Sequence, residues 1–211
     1  DTQPGNAASS GQEIDALPDL SFRVDELLWQ GQPWGRLSFK ARNQKTGQGQ
    51  SWRVDPFLLD GPDLRFSGRL NWVTRNQGAA ASQTHLSSMD FKLNSPQVGN
   101  LLTKLGYPGT VKRGTAAMEG QVSWPGSPFG FDPARLSGNF KMTAKNGQFS
   151  KMDPGVGRLL GLLSLQSLPQ RLTLDFRDIF SDGLAFEAID GRFDIRDGLM
   201  KTSDLQMDAP A

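Results

Sequence analysis

The residue types that most often perform chemistry are scarce in this 211-residue chain. Cysteine is absent, which removes thiolate nucleophiles, thiolate metal ligands and disulfides together. His85 is the only histidine, and no Gly-x-Ser-x-Gly motif accompanies it, so no catalytic triad is indicated. The glycines match neither a phosphate-binding loop nor a dinucleotide fingerprint. We therefore expect no enzyme and no cofactor, although a single sequence leaves open a carboxylate pair of the kind that glycoside hydrolases use.

Acidic residues near the end of the chain could suggest a calcium site, and they are Asp190, Asp194, Asp197, Asp204 and Asp208. They lack the Asp-x-Asp-x-Asp-Gly spacing and the closing glutamate of a calcium-binding loop. Alternation instead places some of them beside Arg192 and Arg196 on one solvated face, where opposite charges pair across strands. We predict no metal site. The formal net charge is +1 without a dense run of bases, so no nucleic-acid partner is expected either.

The elements that carry these residues are indicated by an alternation of apolar and polar positions. In residues 64–72, for example, Phe66, Leu70 and Trp72 share one parity while Arg65 and Arg69 share the other. About eleven such runs follow one another, and a period of two with one polar face is typical of antiparallel strands that bury one side. The sequence therefore predicts a mostly β fold.

Turns and two exceptions divide these runs. Asn-Gly and Asp-Gly supply the positive φ of tight hairpins, so we predict turns at Lys45-Thr46-Gly47, Asp60-Gly61-Pro62, Lys145-Asn146-Gly147 and Arg196-Asp197-Gly198. Residues 96–105 and 153–168 instead have leucines at helical spacing and predict two short inserted helices. Residues 1–16 have the composition of a flexible linker.

The apolar faces of these strands must be covered, and alternation alone allows three solutions. Two sheets can close as a sandwich, one sheet can close as a barrel, or a curled sheet can hold an apolar ligand. The inward positions are rich in Phe, Trp, Leu and Met, and such side chains suit an adaptable lipid-lined surface. An ordinary core would explain the same residues.

A resemblance favours the third solution. Residues 157–165 (GRLLGLLSL), 172–176 (LTLDF) and 191–198 (GRFDIRDG) resemble the C-terminal region of YhdP-type AsmA-like proteins. The match is close over residues 155–211. Towards the start of the chain, only the general pattern of short strands and turns is similar. It implies a curled, mainly antiparallel β-groove over residues 17–211, truncated at its C-terminal end.

The resemblance also implies a function and a place. Such proteins are anchored in the inner membrane of diderm bacteria and form long periplasmic grooves implicated in moving phospholipid between the two membranes. The lipid-contacting residues would be Phe22, Phe39, Phe66, Trp72, Phe91, Trp124, Phe140, Leu174, Phe176 and Phe193. On the 153–168 helix, the residues expected either to touch the outer membrane or a protein in it, or to pack in the core, are Leu159, Leu160, Leu162 and Leu163.

Two other functions remain open at this point. An envelope assembly or tethering module would use exposed strand edges to pair with an outer-membrane protein. A carbohydrate-binding sandwich would present exposed aromatic platforms and hold no lipid.

Overall fold

The computed structural model describes residues 17–46, 49–77, 82–150 and 183–210, which form one open, curled sheet of ten strands. The strands are β1 (Leu20–Trp29), β2 (Gln32–Thr46), β3 (Gly49–Asp60), β4 (Arg65–Gln77), β5 (Ser82–Ser95), β6 (Val111–Pro125), β7 (Ser137–Phe149), β8 (Leu184–Arg196), β9 (Leu199–Lys201) and β10 (Gln206–Asp208). From β1 to β8 each strand pairs with the next one along the chain, and both β9 and β10 pair with β8. Every pair is antiparallel. The mostly β, curled and mainly antiparallel sheet is thus confirmed.

The turns agree with the sequence at some sites and differ at one. Asp197 and Gly198 have φ of 47° and 73° and join β8 to β9 as predicted. The turn predicted at residues 145–147 is wrong, because these residues lie inside β7. Asn146 does have a positive φ of 53°, yet Lys145 and Gly147 on either side of it both pair with β8. The left-handed residue therefore produces an irregularity within a continuous ladder rather than a hairpin.

One of the two predicted helices is present as α1 (Val98–Lys104). Gly106, with φ of 88°, ends it: its N–H donates to Thr103 O, and the Tyr107 N–H donates to Leu102 O at 2.8 Å. This is the Schellman arrangement that glycine favours. The helix predicted over residues 153–168 lies outside the described residues. Within the described ranges, no helix is long and apolar enough to cross a membrane.

A nearly buried ion pair fixes α1 to the sheet. Lys104 Nζ lies 2.6 Å from Asp63 Oδ2, and the two side chains are only 14% and 12% exposed. The same ammonium donates to Pro33 O at 2.7 Å, and Asn100 Nδ2 donates to the other carboxylate oxygen at 3.1 Å. Because each charge has further hydrogen-bond partners, the pair can remain away from water. It ties the end of α1 to β2 and to the β3–β4 turn.

Removing the cation of this pair should destabilise the fold. Lys104→Met leaves the Asp63 carboxylate nearly buried without its counter-ion, and we expect the free energy of unfolding to fall by about 3 kcal/mol. Urea denaturation followed by tryptophan fluorescence measures it. The control is Lys92→Met, since the Lys92–Glu119 pair is 69% and 59% exposed; its loss should stay within about 0.5 kcal/mol. Equal losses in the two variants would contradict this role for the buried pair.

The same pair should make stability sensitive to acid. The hydrogen bond from Lys104 lowers the pKa of Asp63; burial opposes this, and the bond from Asn100 adds to it. The contribution of this ion pair to the free energy of unfolding is therefore complete above the ordinary aspartate pKa of about 3.9. It is lost as pH falls through the lower pKa that Asp63 has in the folded protein. We expect Asp63→Asn to lack this part of the acid destabilisation. Urea titrations at neutral pH and at two pH values below 4 would test it, and parallel losses in both proteins would exclude it.

Candidate functional site

One row of positions crosses eight strands on the apolar face of the sheet. Its members pair in sequence from β1 to β8 as Phe22, Phe39, Phe57, Gly68, Phe91, Gly120, Phe140 and Phe193. Residues directly opposite each other in an antiparallel ladder share a face and can touch. We refer to these eight residues, together with Phe66, as the aromatic row.

Rings of the aromatic row contact one another from β1 to β5 and again between β7 and β8. Phe22 and Phe39 stack with centroids 5.2 Å apart, and Phe140 and Phe193 stack at 4.8 Å. Phe66 stacks on Phe91 at 6.2 Å. Such offset pairs are favourable beyond the area that they bury.

The two glycines make room for neighbouring side chains. A Cβ at Gly68 would lie 3.3 Å from the Phe66 ring, and one at Gly120 would lie 2.5 Å from Phe140 Cβ. Phe66 also makes an edge contact with Phe57, with centroids 5.8 Å apart. Phe66 therefore bridges the gap at Gly68, whereas Gly120 allows β7 to approach closely.

The aromatic row is only partly covered. Phe22 is 41% exposed, Phe193 is 1% exposed, and the other rings are half-buried. Eight strands at a spacing of about 4.8 Å extend roughly 34 Å. This is about twice the length of an acyl chain in one leaflet, which is half of a hydrocarbon core of roughly 30 Å. The row is therefore long enough to lie along a whole acyl chain.

Helix α1 borders the row on one side. Its Leu101 packs with Trp34 and Leu64, beside Phe66. Val98 and Leu102 pack against a second cluster, whose buried members are Val111, Phe186 and Ile189. The helix thus packs against both clusters at one end of the strands.

The β6–β7 connection, residues 126–136, borders the opposite side. Phe129 contacts Trp52 and Trp72 with centroids 6.2 Å and 6.5 Å apart, and Phe131 contacts Trp124 at 5.3 Å. Further along, Leu136 O accepts a hydrogen bond from a backbone N–H in the β8–β9 turn at 2.8 Å. We refer to the apolar surface between α1 and this connection as the trough.

The other face of the sheet is charged. Arg69 lies 2.8 Å from Asp55, and Lys92 lies 3.2 Å from Glu119. A cavity of about 800 Å³ lies on this face, lined by Arg69, Lys92, Glu119 and other polar side chains, with the backbone of the aromatic row as its floor. A twisted sheet is saddle-shaped, so each of its faces can be concave along one diagonal. The charged face can therefore form a cavity although the opposite face carries the apolar groove. Charged side chains of several strands thus line this cavity.

Three of the acidic residues near the end of the chain, Asp190, Asp194 and Asp208, lie in strands on this charged face. Asp190 accepts a hydrogen bond from Thr143 Oγ1 at 2.7 Å, and Arg192 lies 3.8 Å from Asp204. Among the described residues, no group of three carboxylate or histidine side chains is arranged to hold a metal. His85 lies elsewhere, on the apolar face, with Nδ1 3.1 Å from Thr74 Oγ1.

The residues predicted to contact lipid fall into three groups. Phe22, Phe39, Phe66, Phe91, Phe140 and Phe193 belong to the aromatic row. Trp72 and Trp124 lie at the margin of the trough, 0% and 4% exposed beneath Phe129 and Phe131. Leu174 and Phe176, and the predicted contact residues Leu159, Leu160, Leu162 and Leu163, lie outside the described residues. Lipid contact stays a prediction for all of them.

Phe57 was missed by the sequence analysis. The β3 ladder shifts register between Val54 and Phe57, so the alternation is interrupted there. Phe57 has the same parity as Leu59 and directly follows Pro56, which marks the interruption. This shared parity is the sequence signal that could have identified it. The row therefore has one more ring than the sequence indicated.

Comparison with known proteins now identifies the family. A family model described as YhdP protein matches residues 1–211. The chain belongs to the YhdP family. It is also similar to the intermembrane phospholipid transporter YhdP of Escherichia coli (strain K12), with 26% identity over 211 residues. The alignment covers 99% of this chain and 16% of that YhdP protein, so the chain spans about a sixth of its length. No solved structure matches. The resemblance stated above is confirmed, and the YhdP match covers the whole chain.

The close approach at Gly120 gives a test of the row. In Gly120→Ala the new methyl group would meet Asn139 O and Phe140 Cβ, so β7 must move away. We expect the free energy of unfolding to fall by about 2 kcal/mol. The control is Gly130→Ala, where no atom lies within 4 Å of the added Cβ and the change should stay within about 0.5 kcal/mol. Urea denaturation compares the two, and a Gly120→Ala protein as stable as the control would refute the close packing.

Proposed function

We propose that this chain is a lipid-holding segment of a conduit that carries phospholipid between the inner and outer membranes. Acyl chains lie along the aromatic row, and the polar ends of the lipids face the wetter margins of the trough. The observation that supports this most directly is the continuity of the row across eight strands. The similar Escherichia coli protein is an intermembrane phospholipid transporter, which supports the same substrate.

The mechanism is passive and needs no cofactor. Removing an acyl chain from water is favourable by about 0.8 kcal/mol per CH₂. A row of half-buried rings supplies an apolar surface without dictating one position along it, so a chain can move by small steps. Selectivity among head groups is then low, and the net direction of transport comes from outside this segment.

The segment is part of a longer path. Counted across the sheet, where β9 and β10 share one position beside β8, nine strands extend only about 38 Å, and the chain spans 16% of the length of its Escherichia coli relative. We therefore place it in the periplasm as part of a larger protein anchored in the inner membrane.

A second candidate function is suggested by an edge of the described sheet. β1 pairs only with β2 there, and it has exposed apolar side chains: Leu20, Phe22, Leu28 and Trp29 are 41%, 41%, 64% and 54% exposed. An edge strand of this kind can add a strand from another protein. The chain would then be an assembly or tethering module for outer-membrane proteins. Recovery of a barrel protein with the purified chain, without bound lipid, would favour this function.

A pair of substitutions on one strand tests the lipid-holding function. Phe91 and Leu86 both lie on β5, but Phe91 is in the aromatic row whereas Leu86, 42% exposed, is on the charged face. A carboxylate at position 91 would lie unpaired against acyl chains. We expect Phe91→Asp to reduce bound phospholipid at least about fivefold and Leu86→Asp to leave it unchanged.

Native mass spectrometry with lipid extraction from the same sample measures the bound phospholipid. Circular dichroism must first show that both variants keep the wild-type strand content. Equal lipid content in the two folded variants would place the acyl chains away from the aromatic row. Wild-type protein that carries no lipid and takes up none from vesicles would reject the lipid-holding function itself.

A further inference from the structure

A small group of polar side chains lies on the mainly apolar face, at the margin formed by the β6–β7 connection. Trp72 pairs with Ser87, and Thr74 pairs with His85, on neighbouring strands β4 and β5. Thr74 and Ser87 are only 5% and 0% exposed. We refer to these four residues as the polar niche. Buried polar groups at the edge of an apolar surface require partners.

One hydrogen-bond donor of the niche has no partner. The Trp72 side chain is fully buried, and its indole Nε1–H meets no acceptor among the described residues. Two other indoles near this margin are paired: Trp124 Nε1 donates to Ser127 O at 3.2 Å, and Trp52 Nε1 donates to Pro18 O at 3.4 Å. Leaving a buried donor unpaired is unfavourable because its hydration is not replaced. The niche can therefore gain a hydrogen bond from an incoming acceptor.

The β6–β7 connection holds a cover over this donor. At its base, the Gly126 N–H donates to His85 O at 3.0 Å, and Ser87 Oγ donates to Gly126 O at 2.8 Å. At its tip, Phe129 lies against the Trp72 ring while remaining 73% exposed. A Cβ at either Gly126 or Gly130 would meet no atom within 4 Å. The base is thus hydrogen-bonded to β5, whereas the tip contacts the sheet through aromatic rings.

We propose that the polar niche binds an acceptor oxygen of a phospholipid, in its ester or phosphate group, and that Phe129 is the cover that moves to admit it. This inference rests on the proposed lipid-holding function. Trp72 lies four residues from Gly68 along β4, or about 13 Å. Leu70 lies between them on the same face, packed in the cluster that contains Trp72. Apolar surface therefore continues from the niche to the aromatic row, as an amphiphile needs.

Three ligands separate the polar contribution from the apolar one. Dioleoyl phosphatidylethanolamine has both parts, hexadecane has only the chain, and glycerol 3-phosphate has only the polar end. Affinities of the 211-residue chain for each can be measured by native mass spectrometry titration. We expect wild-type protein to bind the phospholipid and hexadecane but not glycerol 3-phosphate at the same concentrations. Tight binding of glycerol 3-phosphate alone would mean that the niche is a phosphate site and not a lipid site.

Trp72→Phe removes the unpaired donor and keeps an aromatic ring. We expect it to weaken phospholipid binding about three- to tenfold, the effect of one hydrogen bond, with hexadecane binding unchanged. The matched control is Trp34→Phe. The Trp34 Nε1 also has no acceptor within the described part of the chain, but it lies across the trough, where Lys104 is 6.0 Å from its ring. This control should leave the ratio of the two affinities unchanged. Equal weakening of phospholipid and hexadecane binding in Trp72→Phe would overturn the proposed role of the polar niche. It would not contradict acyl-chain binding in the trough.

Two milder variants cover the case in which Trp72→Phe does not fold. Thr74→Val removes the hydroxyl that contacts His85 and should weaken the phospholipid selectively. Phe129→Ala should speed phospholipid uptake from phosphatidylethanolamine vesicles severalfold, since the exposed tip is removed while the base remains. An unchanged uptake rate would overturn the role of the cover. Failure of wild-type protein to bind either the phospholipid or hexadecane would instead reject the proposed function.

Discussion

The structure depends on the register in which eight consecutive strands pair. Side chains in a strand alternate between faces, so a slip of one residue in a single ladder would move that strand's apolar residues to the charged face. The ladders of β1 to β8 keep six phenylalanines and two glycines in one line. Phe66 then fills the space at Gly68, so ring contacts continue where the line has a glycine.

A one-faced sheet of this size needs protection at its margins, and the chain supplies it with two short insertions of different kinds. Helix α1 is fixed by the nearly buried Lys104–Asp63 pair and by Leu101. The β6–β7 connection is fixed at its base by hydrogen bonds to β5, whereas its tip rests on tryptophan rings. One margin is therefore held by a nearly buried ion pair, and the tip of the other is held by contacts between aromatic rings.

In the proposed function, this division assigns different parts of a lipid to different physical interactions. The aromatic row offers a long apolar surface without hydrogen-bonding groups, which suits chains that must move. The polar niche offers a single unpaired donor beside the row, which suits the one part of a phospholipid that cannot enter an apolar site without cost. The charged face contributes cross-strand ion pairs, which keep the opposite side of the sheet in water. In the proposed function, transport depends on the apolar surface and on the register that builds it.

The sequence by itself determined the class of fold, helix α1, the turn at Asp197-Gly198 and the family, because alternation, helical spacing, positive-φ residues and family motifs are all local patterns. It also identified most members of the aromatic row. It missed Phe57, where a register shift interrupts the alternation, and misplaced a turn at Asn146, whose positive φ is accommodated within a strand. Only the tertiary structure decided that Trp72 and Trp124 lie under a cover while Phe91 lies in the row. Residues of one parity look alike in sequence, and contacts with distant segments decide which of them stay accessible.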